Sequence, residues 1–231
     1  MKIVISPSKT MNYQKCEYLE DKEPIYINKH KEVLSKLKKF KKTDIPKVYK
    51  IKGDLIDKTY RNIIDYDTND SYHAFASYTG LVFFNLDRDN YKDKEYEYIA
   101  SNVRILDAFY GILEPGTLIK PYRLDMKTDI GLNLYQHWNI DDYFNNDVVI
   151  NLASNEFSKM LNIPMININF LQYKNGKYIN QATYSKQARG LFLDYMIKHE
   201  IEDISLLKLF NIDTYKFNDL LSDDFNLVFT R

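Results

Sequence analysis

The chain has 231 residues, 45% of them hydrophobic and 28% charged, with 32 Lys and Arg balanced by 32 Asp and Glu. Such a chain buries a core without cross-links, and a net charge of zero argues against a general, wholly basic nucleic-acid binder. The single cysteine, Cys16, excludes an internal disulfide and fits a reducing cytoplasm, while no run approaches 18 apolar residues and MKIVISPSKT is too short for a secretory signal.

In chain order, residues 2–5 read as a buried strand stopped by Ser6-Pro7. Residues 28–40 read as an amphipathic helix, with Val33, Leu34, Leu37 and Phe40 on one face and lysines on the other. Pro46 opens a short helix, Lys52-Gly53-Asp54 interrupts it, and Asp54 is placed to cap a third helix through residue 66. Residues 67–73 are loop-like, residues 74–84 strand-like with a glycine break, and residues 94–109 helical. The stretch 109–126, FYGILEPGTLIKPYRLDM, reads as a structured loop. Residues 134–146 look helical, and 148–154 form an apolar strand followed by a short helix. Asn175-Gly176 joins two β-rich runs as a hairpin. A helix over residues 185–200, a short helix near Leu206 and a final strand FNLVFT complete the chain. There is no regular βαβ rhythm, so the expectation is an α+β or irregular mixed α/β fold in one domain over residues 1–231.

Charge is unevenly spread. Residues 29–61 carry 12 Lys/Arg against 4 Asp/Glu, and residues 200–231 carry 3 against 7. A basic region opposed by an acidic tail can steer an anionic partner to one side. Nucleophilic catalysis has poor support: there is no G-x-S-x-G, and Cys16 lies in the charged stretch CEYLEDKE. The four scattered histidines provide no metal-ligand spacing, and no cofactor motif is present. Anion binding is better supported. Ser6, Ser8, Lys9 and Thr10 follow the first strand directly, where open α/β sheets hold ligands. Lys186 and Arg189 share a helix face near its N-terminal end. Gly190, unfavourable inside a helix, signals a close approach there. Ser154-Asn155-Glu156 caps a helix or lines a site.

Six segments occur together in this order: ISPSKTMNY, YTGLVF, RILDAFYGILEPGTLIKPYRLDM, LYQHW, VVINLASNEFSK and YSKQARGLF. With them the chain resembles the YaaA family of peroxide stress proteins over nearly its whole length. The resemblance implies a single compact domain of the cantaloupe-type fold, with a helix-hairpin-helix element and a positively charged cleft. It also implies a cytoplasmic protein of the oxidative stress response that binds DNA and helps limit free iron and DNA oxidation. Within the matching motifs the cations are Lys9, Arg104, Arg123, Lys186 and Arg189, expected to line one cleft and bind phosphates of duplex or branched DNA without sequence specificity. Tyr110 and Tyr122 stack on a base or pack the cleft wall. Lys50, Lys52, Gly53 and Lys58 form one candidate for the hairpin element, and the turn at Gly111 is the other. In the opposing reading, an enzyme acting on a phosphorylated small molecule or nucleic acid, Asp125 or Glu156 is the acid/base. Asp125 is otherwise expected to orient or neutralise Arg123.

Overall fold

The computed structural model describes residues 1–145 and 147–231. Its elements are β1 (Lys2–Ile5), α1 (Ile27–Leu37), α2 (Ile45–Tyr49), α3 (Asp54–Ile64), β2 (Tyr72–His73), α4 (Ala74–Ser77), α5 (Leu81–Phe84), α6 (Asp93–Asn102), β3 (Val103–Asp107), β4 (Gly111–Leu113), β5 (Leu118–Ile119), α7 (Leu134–His137), β6 (Val149–Asn151), α8 (Asn155–Ser158), β7 (Ile166–Lys174), β8 (Lys177–Ile179), α9 (Ala182–Lys198), α10 (Ile204–Leu207), β9 (Lys216–Phe217) and β10 (Asn226–Thr230). The result is an α+β fold around one mixed sheet of order β4-β3-β1-β6-β7-β10-β9. Its five central strands, from β3 to β10, run parallel, and β4, β8 and β9 pair antiparallel at the margins. β2 and β5 form a separate pair. No helix among the described residues is long and apolar enough to cross a membrane.

Burial explains the central strands. All of β3 (VRILD) and β6 (VIN) is buried, the continuous pattern of parallel strands covered on both faces. Apolar side chains from Ile3 to Phe229 join one contiguous core. α1 turns the expected stripe of Val33, Leu34 and Leu37 inward. Asn175 and Gly176 both take positive φ (52° and 79°), as a tight two-residue hairpin requires. Gly190 lets α9 cross α5, since a Cβ there would lie 2.4 Å from the Val82 carbonyl oxygen.

Several expectations change. Residues 74–84 form two short helices, α4 and α5. Every residue of α4 is buried, so the segment has no polar periodicity to separate it from a buried strand. The helix expected to reach residue 109 stops at Asn102, where β3 begins. The supposed loop 109–126 contains β4 and β5. Gly111 has φ +83° at the start of β4, so it is not a turn between helices. Gly116 has no positive φ. It is needed because a Cβ would lie 2.2 Å from the Glu20 carbonyl oxygen. Residues 134–146 split into α7 and a 3-10 turn, Asp141–Phe144, and the last of them, Asn146, lies outside the described residues. The helix–turn–helix over α2 and α3 is present. Gly53, at φ +63°, occupies the cap, and Asp54 is the first helical residue.

The strand order fixes where a ligand crevice lies. From β1 the sheet grows to β3 on one side and to β6 on the other. The connections reverse at β1, and the crevice outside its carboxyl end is the favoured ligand position in parallel sheets.

Candidate functional site: a cationic cleft

A cavity of about 360 Å³ opens at the carboxyl ends of β1 and β6. Its walls are Ser6–Thr10 after β1, Gly80–Phe83 at α5, Tyr122–Asp125, Ser154, Glu156 and Phe157 around α8, and Lys186 and Arg189 on α9. Five stretches far apart in sequence therefore meet in one place. Backbone and small-residue contacts hold them. The Ser154 N–H donates to Ser6 Oγ (2.8 Å), Thr79 N–H to the Thr10 carbonyl (3.1 Å), and Asn12 N–H to the Ser77 carbonyl (2.8 Å). At Gly80 an added Cβ would lie 2.5 Å from Ser8 Oγ, so a larger residue there would push the Ser8 side chain aside. Leu81, Val82, Phe83, Leu124, Leu152 and Phe157 make much of the wall apolar.

Four of the expected cations, Lys9, Arg123, Lys186 and Arg189, line this cavity, against two carboxylates, Asp125 and Glu156. The cleft thus carries a formal excess of two positive charges in a chain of zero net charge. Their states differ. Lys9 Nζ is 2.7 Å from Asp125 Oδ2, an ion pair between opposite walls. Asp125 therefore engages Lys9, not Arg123 as expected. Arg123 is half-buried and has no ion pair within 4 Å among the described residues. Lys186 is exposed. Arg189 Nε is buried with no hydrogen-bond partner, and burial lowers its guanidinium pKa from the usual value. A guanidinium remains charged through such a shift, so it is a cation held ready for an anion.

Two expected residues point elsewhere. Arg104, the second residue of β3, is 5% exposed and does not line the cavity. Nη1 donates to the carbonyls of Ala100 (2.9 Å) and Val103 (2.7 Å), Nε to the Tyr143 phenol, and Nη2 lies 3.3 Å from Glu114. A buried guanidinium must be satisfied where it sits, and this one is fully occupied. Tyr110 is wholly buried, stacked on His30 at 4.4 Å, with its hydroxyl bonded to Tyr66 and accepting from Lys120 N–H. Tyr122 does reach the cavity wall, but its hydroxyl turns inward to Asp107 and Tyr78. Asp107 was not anticipated; a lone Asp in an apolar run gives no spacing signal.

Lys50, Lys52, Gly53 and Lys58 are exposed on the turn and helix beside the cleft and do not line its cavity. The link is Tyr49 at the end of α2, whose phenol feels the charges of Arg123 and Asp125 and whose hydroxyl is buried without a partner. Among the described residues no three His, Cys, Asp or Glu side chains gather into a metal-sized group.

The comparisons agree along the whole length. A family model described as peroxide stress protein YaaA matches residues 1–221. A UPF0246 protein of Fusobacterium nucleatum is 36% identical over 248 aligned residues, covering 100% of this chain and 99% of the relative. UPF0246 proteins of Clostridium beijerinckii and Francisella philomiragia are 34% and 33% identical, each covering 100% of this chain and 98% and 100% of the relatives. A match of this extent means that the chain belongs to the YaaA family of peroxide stress proteins.

Proposed function

We propose that the cleft binds the phosphate backbone of DNA without reading its sequence, and that this contact serves the protein's part in the peroxide stress response. The observation that carries the reading is the pair Arg123 and Arg189: two guanidinium groups lining one cavity without a carboxylate partner among the described residues, one of them with a buried, unbonded Nε. Phosphate oxygens supply the missing acceptors, and guanidinium geometry suits them. The helix–turn–helix at Gly53, with Lys50, Lys52 and Lys58, extends the basic surface beyond the cavity as the hairpin element of this reading. Such a role needs a cytoplasmic location, and coverage of the duplex would limit its oxidation by free iron. Fluorescence-anisotropy titration of duplex, single-stranded and four-way-junction DNA over a salt series tests it. Log affinity is expected to fall linearly with log salt, and Arg123→Ala with Lys186→Ala to flatten the line by about 0.9 per lost phosphate contact. No binding at low salt overturns it.

A second reading has its own support: the cavity is compact, walled by apolar side chains, and holds the half-buried Glu156 carboxylate beside the cations. These features suit a phosphorylated small molecule, with Glu156 or Asp125 as acid/base. It predicts turnover of such a compound, lost in Glu156→Gln with binding kept.

A further inference from the structure

We infer that Asp107 is a positioning residue for the cleft, the common anchor of the segments that carry Arg123 and the Gly80–Phe83 wall. The inference rests on reading the cleft as a DNA site. Asp107 ends β3 and is 0% exposed. Oδ1 accepts the backbone N–H groups of Phe109 (2.7 Å) and Tyr110 (2.9 Å). Oδ2 accepts the Tyr122 phenol, and the Tyr78 hydroxyl lies 2.7 Å from the Tyr122 oxygen and 3.3 Å from Oδ2. No Lys, Arg or His lies within ion-pair distance of it among the described residues.

A carboxylate taken out of water without a cation is unfavourable unless its oxygens are fully engaged. Here the two N–H groups engage Oδ1 and the Tyr122 phenol engages Oδ2, with the Tyr78 hydroxyl donating to the Tyr122 oxygen behind it. Asparagine would satisfy one side and turn its NH₂ toward the other, because it has a single acceptor oxygen. The donors are also placed meaningfully. Tyr122 immediately precedes Arg123, and Tyr78 lies two residues before Gly80. Tyr78 bridges to Met11, and the next N–H, Thr79, bonds the Thr10 carbonyl, which fixes the loop bearing Lys9. One buried carboxylate thus sets the spacing between the Arg123 wall and the Lys9 wall. Arg123 has no carboxylate of its own to aim it, since Asp125 is engaged by Lys9. Its aim comes from the backbone that Tyr122 pins, as supporting hydrogen bonds do for other functional side chains.

The experiment compares Asp107→Asn and Tyr122→Phe with Tyr110→Phe, a control that removes an equally buried hydroxyl bonded to Tyr66 and Lys120 rather than to Asp107. Amide hydrogen exchange and salt-series anisotropy with a fluorescein-labelled DNA duplex are read on all three. Tyr122→Phe is expected to fold, to exchange faster over residues 78–83 and 121–126, to bind about tenfold more weakly, and to lose about 0.9 from the salt slope, one phosphate contact. Tyr110→Phe is expected to lower thermal stability with the slope intact. Exchange and slope unchanged in Tyr122→Phe, or the same slope lost in Tyr110→Phe, overturns the positioning role. If wild-type protein binds no duplex, the DNA reading falls, and the exchange comparison still decides whether Asp107 holds the walls.

Discussion

Arg104 and Arg189 are both arginines taken largely out of water, and they differ in every other respect. Arg104 is surrounded by two carbonyls, a phenol and a carboxylate. Arg189 faces a cavity with its Nε unbonded. A neutralised buried cation belongs to the fold, because its partners are already present. A half-buried cation whose Nε is buried without a partner is a standing cost that folding alone does not explain. The zero net charge of the chain conceals this difference, since it sums cations that are engaged with cations that are not.

The largest effect expected from breaking the comparison is on Arg104. Arg104→Ala should lower stability by about 3 kcal/mol in urea denaturation. This is the lower end of the usual range because Lys22, 2.9 Å from Glu114, keeps that carboxylate paired. The salt slope of DNA binding should not move. A loss below about 1 kcal/mol would remove Arg104 from the list of fold-forming cations.

The same half of the core contains a group whose protonation sharpens the contrast. His30 is buried, its Nδ1 3.0 Å from the Phe109 carbonyl and its Nε2 2.8 Å from the Tyr66 hydroxyl. Those contacts suit neutral imidazole, donating at one nitrogen and accepting at the other. Burial lowers its pKa from 6.5 to about 4. A base with a depressed folded pKa contributes stability that is present above the unfolded value and lost as pH falls toward the folded one. The expected loss is about 1.4 kcal/mol at pH 5.5 and about 3 kcal/mol near pH 4. His30→Gln should remove this part of the pH dependence, and identical pH profiles for the two proteins would refute the assignment.

Arg189 should behave oppositely to Arg104. Arg189→Met keeps the stem packed and removes the unbonded Nε. It should leave stability unchanged or raise it by up to about 1 kcal/mol, while DNA affinity falls about tenfold, equivalent to about 1.4 kcal/mol. If Arg189→Met destabilises the fold as Arg104→Ala does, the distinction between the two arginines disappears.

Much of the fold was legible. Helices with a polar face, α1 and α3, and the Asn-Gly hairpin follow from periodicity and turn chemistry. Residues 74–84 were not legible as helices, because α4 is buried on all sides and carries no period, and α5 is four apolar residues long, too short to show one. The junction at Asn102–Val103 was hidden because VRIL suits a helix face and a strand equally. For the site, residue types and flanking strand or helix ends pointed to Lys9, Arg123, Lys186 and Arg189. Arg104 looked the same by type, but its direction depends on strand register (Arg104 opposite Val4), a non-local property. Asp107 was missed for the same reason: its partners, Tyr78 and Tyr122, lie 29 and 15 residues away along the chain.

Lys9 lies between the two arginines in state, charged and exposed but paired across the cleft mouth with Asp125. An incoming phosphate must compete with that carboxylate. Asp125→Asn removes the competitor and should free Lys9 for one more phosphate contact. Affinity for duplex DNA is then expected to rise several-fold and the salt slope to steepen by about 0.9. Stability should change by less than about 1 kcal/mol, since the pair is largely solvated. Adding Lys9→Ala to Asp125→Asn should return the slope to its wild-type value. Weaker binding in Asp125→Asn would show instead that Asp125 aims Lys9 at the ligand. Turnover of a phosphorylated compound, lost in the same variant, would move Asp125 from competitor to acid/base and favour the enzyme reading of the cleft.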